Sequence, residues 1–337
     1  MDIRKAIGEV IEGRSLEEEE MAAVMRQMMR GEATPAQIGG FLMALRAKGE
    51  RVPEIAGAAR VMREFATRVD VATEGLVDTA GTGGDGKGLF NVSTGASFVI
   101  AAAGGRVAKH GNRSLSSSSG SADVLESLEI RIDMSPEESA RCIDEIGIGF
   151  LFAPAHHSAT RHAAGPRKEL GTRTLFNLLG PLTNPAGAPN QIMGVFAPEW
   201  VETIAHVFQS LGSRQVLVFH SEDGLDELSI AAPTQVAELR EDQVTTRQLR
   251  PEDYGIERTS LDSLVVESAE QSAALIRAAL EGQSGPAADM MAFNAGAAIY
   301  VCGQAADLGE GVARAREVMA DGGALKKLEQ LQERSRT

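Results

Sequence analysis

The stretch DTAGTGGDGKGLFNVSTG, residues 78–95, puts five glycines into the eight positions Gly81–Gly88. The apolar run Gly75-Leu76-Val77 precedes it, and a second apolar run, Ser97 to Ala103, follows behind serine and threonine. Bare backbone between a strand and a helix weakens local structure, because glycine loses the most conformational freedom on folding. The usual compensation is a ligand that lies against main-chain N–H groups, and phosphate is the commonest of that kind.

From this stretch onward the pattern alternates. Short apolar runs at Leu76–Thr79, Arg106–Ala108, Gly149–Ala153, Gln191–Phe196 and Val216–His220 are separated by helix-like segments such as Pro136–Ile146 and Glu199–Leu211. This predicts an α/β protein with a mainly parallel central sheet flanked by helices. Ligands of such sheets gather at the carboxyl ends of strands. Three loops, Gly81–Gly88, His110–Gly120 and Ser221–Glu227, follow strand ends and are expected to converge. The chain from Ala287 onward returns to helices.

Before the stretch, the first ~70 residues read as helices only. Ser15 with Glu18 forms a capping-box pattern, Thr34-Pro35 with Gln37 opens a helix that Gly49 closes, and Val52-Pro53 opens another. Gly39-Gly40 are expected to let helices approach closely. So short a unit struggles to bury its own stripes, which leaves a packed core and a subunit interface both open for Met21, Met25, Met28 and Met29.

Two familiar patterns match the glycine loop and fail on particular residues. Gly81, Gly83 and Gly86 satisfy G-x-G-x-x-G, yet no Asp or Glu lies between Gly86 and Ala122 to hold a ribose. Gly86-Lys87 begins a Walker A ending, but Gly88 stands where Ser or Thr is needed. The same acid-free window carries Lys87, Arg106, Lys109, His110 and Arg113, inside a protein of net charge −14. It ends in KHGNRSLSSSSGSA, whose six serines lead into a helix from about Ala122 to Leu128. A solvated basic face is the plain reading. The alternative is a second phosphate loop, and two such loops suit a ligand with phosphate at both ends. The third loop, SEDGLDELS, supplies Glu222, Asp223, Asp226 and Glu227. Facing two phosphate loops, its carboxylates suit Mg2+, which favours a few carboxylates plus substrate phosphate and water. With no Cys or Ser nucleophile motif, the set points to transfer chemistry driven by electrostatic stabilisation.

The bulk properties narrow the class. At 337 residues with 43% hydrophobic content and 36 glycines, the chain suits a large domain plus a smaller one. A net charge of −14 argues against nucleic-acid or anionic-membrane binding. Cys142 and Cys302 lack metal-ligand spacing and read as buried free thiols. The opening MDIRKAIGEVIEGRSLEEEE has no apolar signal core, and no apolar run reaches the length of a membrane span. The expectation is a soluble, cytoplasmic protein.

These residues resemble the anthranilate phosphoribosyltransferase family. The motifs are GTGGD (81–85), NVST (91–94), KHGNRS (109–114), SGSADVLE (119–126), RKELGTRTLFNLLGPLTNP (167–185) and DGLDELS (223–229), in the family's order along nearly the whole chain. The resemblance implies a nucleoside phosphorylase/phosphoribosyltransferase type of fold. A small helical domain, residues 1–72 with helices near 167–185, stands beside a large α/β domain, 73–166 and 186–337. It implies transfer of the phosphoribosyl group of 5-phosphoribosyl-1-diphosphate (PRPP) to anthranilate with Mg2+, in tryptophan biosynthesis, by a homodimer joined through the helical domain. PRPP would meet Gly81, Gly84, Asp85, Asn91, Val92, Ser93, Thr94, Lys109, His110, Gly111, Asn112, Arg113, Ser114, Leu115, Ser116, Ser117 and Ser121. Anthranilate would meet Gly81, Asn112 and Arg167, whose fork pairs with a carboxylate. Ser93, Asp226 and Glu227 would hold Mg2+. Lys109 would neutralise the departing diphosphate, and His110 is the nearby group that titrates near neutral pH.

Three positions depart from the family pattern. Leu89 replaces a common Thr that contacts PRPP, Ser158 a common Pro, and Ser118 a frequent Lys. The histidines 156, 157 and 162 lack a carboxylate or Cys at metal spacing, so a zinc site is not expected. The rival readings are another acceptor, including pyrimidine nucleoside phosphorolysis, and a non-catalytic nucleic-acid-binding relative.

Overall fold

The computed structural model describes residues 1–114 and 119–336. The chain opens with four helices, α1 (Ile3–Ile11), α2 (Glu18–Met29), α3 (Pro35–Lys48) and α4 (Val52–Phe65). Thr34 caps α3 as expected: its hydroxyl accepts from the Gln37 amide at 3.3 Å, and the Gln37 side chain accepts from the Thr34 amide at 2.9 Å. The start of α2 differs from the expectation. Glu17 is the cap, with Glu20 returning to its amide at 3.1 Å, and the Ser15 hydroxyl instead meets Lys48. Leu16 decides this register. It is buried just before the cap, and Met21, also buried, stands in the first turn beyond it, the two positions of a hydrophobic staple.

Close helix approach occurs at Gly57, where a Cβ would strike the backbone carbonyl of Glu18. Gly39 faces open space and Gly40 touches only Ile7. The expected role of that pair is therefore replaced by Gly57. Met21, Met25, Met28 and Met29 are all buried within the chain. The methionine stripe is core, not an interface.

The sheet has seven strands: β1 (Leu76–Thr79), β2 (Arg106–Gly111), β3 (Ile148–Phe152), β4 (Asn190–Gly194), β5 (Gln215–Ser221), β6 (Thr234–Arg240) and β7 (Gln243–Leu249). Their order is β3-β2-β1-β4-β5-β6-β7. The first five in that order run parallel, β6 runs antiparallel to β5, and β7 antiparallel to β6. The chain builds outward from β1 to β3, then returns to the other side of β1 with β4. The carboxyl ends of β1 and β4 thus flank a reversal of strand order, where open α/β sheets place their ligands.

Between and after the strands lie α5 (Val92–Ala102), α6 (Ser121–Ser127), α7 (Pro136–Ile146), α8 (Ala153–His156), α9 (Arg161–Leu170), α10 (Phe176–Leu179), α11 (Trp200–Ser210), α12 (Ala269–Leu280), α13 (Pro286–Val301), α14 (Leu308–Ala320) and α15 (Gly323–Arg336). One sheet face packs Val107, Leu217 and Phe219 against α5 and α12 to α15. The other packs Met193, Val216 and Val218 against α11 and the N-terminal helices. Ala163 of α9 and Phe176 and Leu179 of α10 join this second core. Asn184 and Gln191 tie the segment before β4 to the sheet through bonds of 2.8 Å to the carbonyls of Ala108 and Pro181.

Candidate active site

The glycine loop leaves β1 and turns back into α5. Gly83, Gly84, Gly86 and Gly88 all have φ between 65° and 83°, a region that side chains other than glycine rarely enter. Gly81 answers to a different constraint: a Cβ there would come within 3.0 Å of Asp226 Oδ2. The loop is pinned at Thr82, whose amide donates to Gly194 O at 2.9 Å, and at Gly83, whose amide donates to Asp226 Oδ2 at 2.7 Å. The amides of Gly84, Asp85 and Gly86 have no acceptor among the described residues. Successive unpaired N–H groups in a loop with left-handed turns form an anion-binding concavity.

Asn91 caps α5 by accepting from the Thr94 amide at 3.1 Å. This brings Ser93 into the first turn, where its hydroxyl lies 3.2 Å from Lys109 Nζ. Lys109 comes from β2, is 4% exposed, and donates to Thr79 O at 2.7 Å. Burial lowers its pKa, opposed by the charges of Asp78 and Glu227. Val92 and Thr94 are buried, and the Thr94 hydroxyl finds no partner among the described residues.

The loop after β5 brings Asp226 and Glu227 to the same place. Burial, then the charge of Asp85, pushes Asp226 up to about 7. Burial and neighbouring Asp226 push Glu227 well above the carboxylate range, while Lys109 and the Ser93 amide act the other way. Among the described residues no three His, Cys, Asp or Glu side chains form a metal cage. The donors present are hard oxygens in a setting short of positive charge. That set fits Mg2+ completed by substrate phosphate and water.

The second loop is organised differently from the expectation. Gly120 has no room for a Cβ because residues 112–114 lie directly on it, and Gly111 has none because Ser121 and Phe150 fill the space. The Asp123 carboxylate accepts from the amides of Ser114 and Gly120 at 2.9 and 3.0 Å, so these N–H groups are already satisfied. Arg113 is held by Asp123 at 3.1 Å and by Glu126 at 2.5 Å. Asn112 accepts from the Arg113 amide through its side chain, and from Ser121 through its carbonyl. Leu115, Ser116, Ser117 and Ser118 lie outside the described residues. Arg106 is corrected: it starts β2, at the end of the sheet away from the loops, and pairs with Asp144. Lys87 does reach the third loop, 3.4 Å from where a Gly224 Cβ would stand.

Successive strand residues point to opposite faces, which separates Lys109 from His110. Lys109 joins Ser93 and Glu227 on the α5 side. His110 turns to the helical unit, its ring 5.1 Å from that of His157. Burial, then the neighbouring histidines 157 and 156 and Lys109, pulls His110 well below its ordinary value. His157 falls to about 4, chiefly by burial. The Nε2 atoms of both rings are buried without partners among the described residues. On this side Arg167 of α9 is half-buried, 4.9 Å over the Phe176 ring, with no carboxylate partner among the described residues. Sequence reasoning missed Arg173, which lies 4.3 Å over Phe196 and donates to Gly84 O. Its signal was present in the 167–185 motif.

Leu89 packs partly against the core and bridges to Val265, so the position usually held by Thr here serves packing. A groove of about 410 Å3 lies elsewhere, lined by Pro198, His220, Glu222, Gln235, Arg247 and Gln248 among others. Its Arg247 is paired with Glu238 at 2.6 Å, leaving no open cation for phosphate.

Comparisons with known proteins bear on the family and the fold. Residues 73–325 match the family described as glycosyl transferase family, a/b domain, and residues 4–66 its helical bundle domain. The chain is 59% identical over 331 residues to the anthranilate phosphoribosyltransferase of Thioalkalivibrio sulfidiphilus, covering 98% of each. It is 57% identical to that of Alkalilimnicola ehrlichii, covering 98% of this chain and 97% of the relative. The crystal structure of the Thermus thermophilus anthranilate phosphoribosyltransferase superimposes with a TM-score of 0.94 at 48% identity, over 98% of this chain and 99% of that one. The Saccharomyces cerevisiae enzyme in complex with PRPP and Mg has a TM-score of 0.89 at 25% identity, over 99% and 98%.

Proposed function

The chain belongs to the anthranilate phosphoribosyltransferase family, and we propose on that premise how its cleft performs the reaction. The reaction transfers the phosphoribosyl group of PRPP to the amine of anthranilate and releases diphosphate, with Mg2+ as cofactor. The observation that carries the assignment is the meeting of the glycine loop, the start of α5, Lys109 and the Asp226-Glu227 pair, locked by the Gly83–Asp226 bond.

PRPP lies along the Lys109 face of the sheet end. Its diphosphate rests on the amides of Gly84, Asp85 and Gly86, with Gly81, Asn91, Val92, Ser93 and Thr94 shaping the turn into α5. Residues 111–114 and Ser121 receive the other end, and Arg113 leaves Glu126 to do so. Ser93, Asp226 and Glu227 hold Mg2+. When bound, Mg2+ neutralises charge on the diphosphate. Anthranilate occupies the opposite face, between Gly81, Asn112 and Arg167. An unpaired guanidinium on that side suits a carboxylate acceptor and is unneeded for phosphorolysis.

The amine nitrogen forms a bond to C1 of the ribose while the C1–oxygen bond to diphosphate breaks, the oxygen keeping the electron pair. Lys109 stabilises the negative charge that gathers there. His110 takes the amine proton as a neutral imidazole, at a strength limited by the burial that disfavours its charged form. Orientation of the two substrates supplies the larger share of the acceleration.

The finer context follows the same reading. Residues 1–72 with the 167–185 segment act as one domain, and residues 73–166 with 186–337 as the other. Two copies pair through the helical domain, which exposes Ile11 and Met43. The enzyme serves tryptophan biosynthesis in the cytoplasm; no described helix is long and apolar enough to cross a membrane. The test is release of diphosphate in one-to-one proportion to anthranilate consumed, with PRPP and MgCl2 both required. Diphosphate release without anthranilate consumption would point to another acceptor.

A further inference from the structure

The 161–183 segment touches the glycine loop through Arg173, a residue to which neither the family motifs nor the reaction above gives a role. Arg173 sits in the connection between α9 and α10 and is exposed. Its guanidinium stacks 4.3 Å over the Phe196 ring, just beyond the end of β4, and donates to the carbonyl of Gly84. Its own carbonyl accepts from Arg46 of α3. No carboxylate pairs with it among the described residues, although the chain carries 47 acidic side chains against 33 basic ones. A continuous line of contacts thus runs from the helical unit, through Arg46 and Arg173, to the glycine loop.

That contact has a geometric consequence. In a trans peptide the C=O and the following N–H point in opposite directions. Fixing the Gly84 carbonyl against Arg173 therefore turns the Asp85 amide away from the helical segment. Gly84, at φ 83°, belongs to a loop of such torsions that a glycine peptide crosses readily, so without an anchor this peptide is free to flip. A flip would replace a donor with a carbonyl in the anion cradle. Gly84 also cannot carry a side chain here at no cost, since a Cβ would approach Arg173 Nη2 to 3.2 Å.

We propose that Arg173 is a positioning residue that holds the Gly84–Asp85 peptide with its N–H turned to the diphosphate of PRPP. It does not touch the substrate; it keeps the cradle in its binding orientation from the helical side. This rests on the reading of the cleft as a PRPP site.

The test uses the full-length protein and titrates PRPP with MgCl2 by calorimetry, which does not depend on the acceptor. Arg173→Met keeps an unbranched side chain and removes the donor; Arg173→Lys keeps a donor. The expected result is PRPP affinity at least about 10-fold weaker in Arg173→Met, as lost pre-organisation of a donor in the anion cradle implies. Arg173→Lys is expected to restore most of that loss. The anthranilate KM and the Tm stay at wild-type values in both. Undiminished PRPP affinity in Arg173→Met overturns the proposal. So does an equal loss in both variants with a fall in Tm, which marks a merely structural residue. Failure of the wild type itself to bind PRPP would instead overturn the PRPP reading.

Discussion

Gly83 and Asp226, 143 positions apart, are joined by a 2.7 Å hydrogen bond from the loop amide to the carboxylate. The bond couples the glycine loop to the carboxylate pair, so neither loop is placed independently. Behind it, Gly194 has no space for a Cβ because the Asp226 backbone fills it. Asp226 thus has two tasks, a structural bond and a charge.

Asp226→Asn separates them. The amide oxygen still accepts from Gly83, but the anion is gone. Turnover is expected to fall on the order of 100- to 1,000-fold, the scale of losing one preorganised electrostatic partner. Stability moves in the other direction. Asp226 is held at about 7, above its unfolded value near 3.9. Its contribution is therefore full below about pH 4 and is lost as pH rises through about 7. Metal-free wild type should lose Tm across that window, and Asp226→Asn should lose less. MgCl2 should restore Tm at pH 8 in the wild type only. Differential scanning calorimetry with and without MgCl2 checks both.

Lys109→Met removes a buried cation from between Thr79, Ser93 and Glu227. Diphosphate departure then lacks its lysine, and kcat is expected to drop roughly 100-fold. Mg2+ should bind more tightly in the same variant, because Lys109 no longer competes for Glu227. A calorimetric Mg2+ titration beside steady-state kinetics reads the two opposite changes; parallel weakening would place Lys109 elsewhere.

Arg167→Gln tests the acceptor side. Loss of a charged fork from a half-buried site is expected to raise the anthranilate KM roughly 10- to 100-fold. PRPP affinity should stay at the wild-type value. If instead PRPP affinity falls and the anthranilate KM stays put, Arg167 belongs to the phosphate end.

His110→Ala is expected to lower kcat about 10-fold, less than general-base catalysis commonly supplies. The imidazole is neutral because its pKa is well below the ordinary value, so the acid limb of the kcat/KM profile should keep its position in the variant. Turnover within twofold of wild type removes His110 from the proton path.

Much of this was legible in the residue order, and the exceptions have physical causes. Strand β1 and helix α7 begin and end where the apolar runs and the Ser135-Pro136 start indicated. The convergence of the first and third loops followed from parallel strands alone. The β6–β7 hairpin was not foreseen. Its strand QVTTRQL is largely exposed and lacks clean alternation, and its turn uses Glu241 and Asp242 at φ 52° and 60° where Asn-Gly would have announced it. Arg106 misled because a basic residue at either end of a strand looks alike in sequence, while only the carboxyl end meets the loops. Arg113 misled because its partners Asp123 and Glu126 lie beyond the acid-free window and fold back onto it. Arg173 was passed over because its contacts, Phe196 and Gly84, are 23 and 89 positions away.

The measurement that tests the central claim most directly is the decay of anthranilate fluorescence on mixing the protein with PRPP and MgCl2, run beside an Asp226→Ala/Glu227→Ala variant. The predicted result is decay in the wild type that requires both PRPP and MgCl2 and collapses in the variant. No decay from wild-type protein that still binds PRPP, or decay that survives loss of both carboxylates, would contradict the assignment of this cleft.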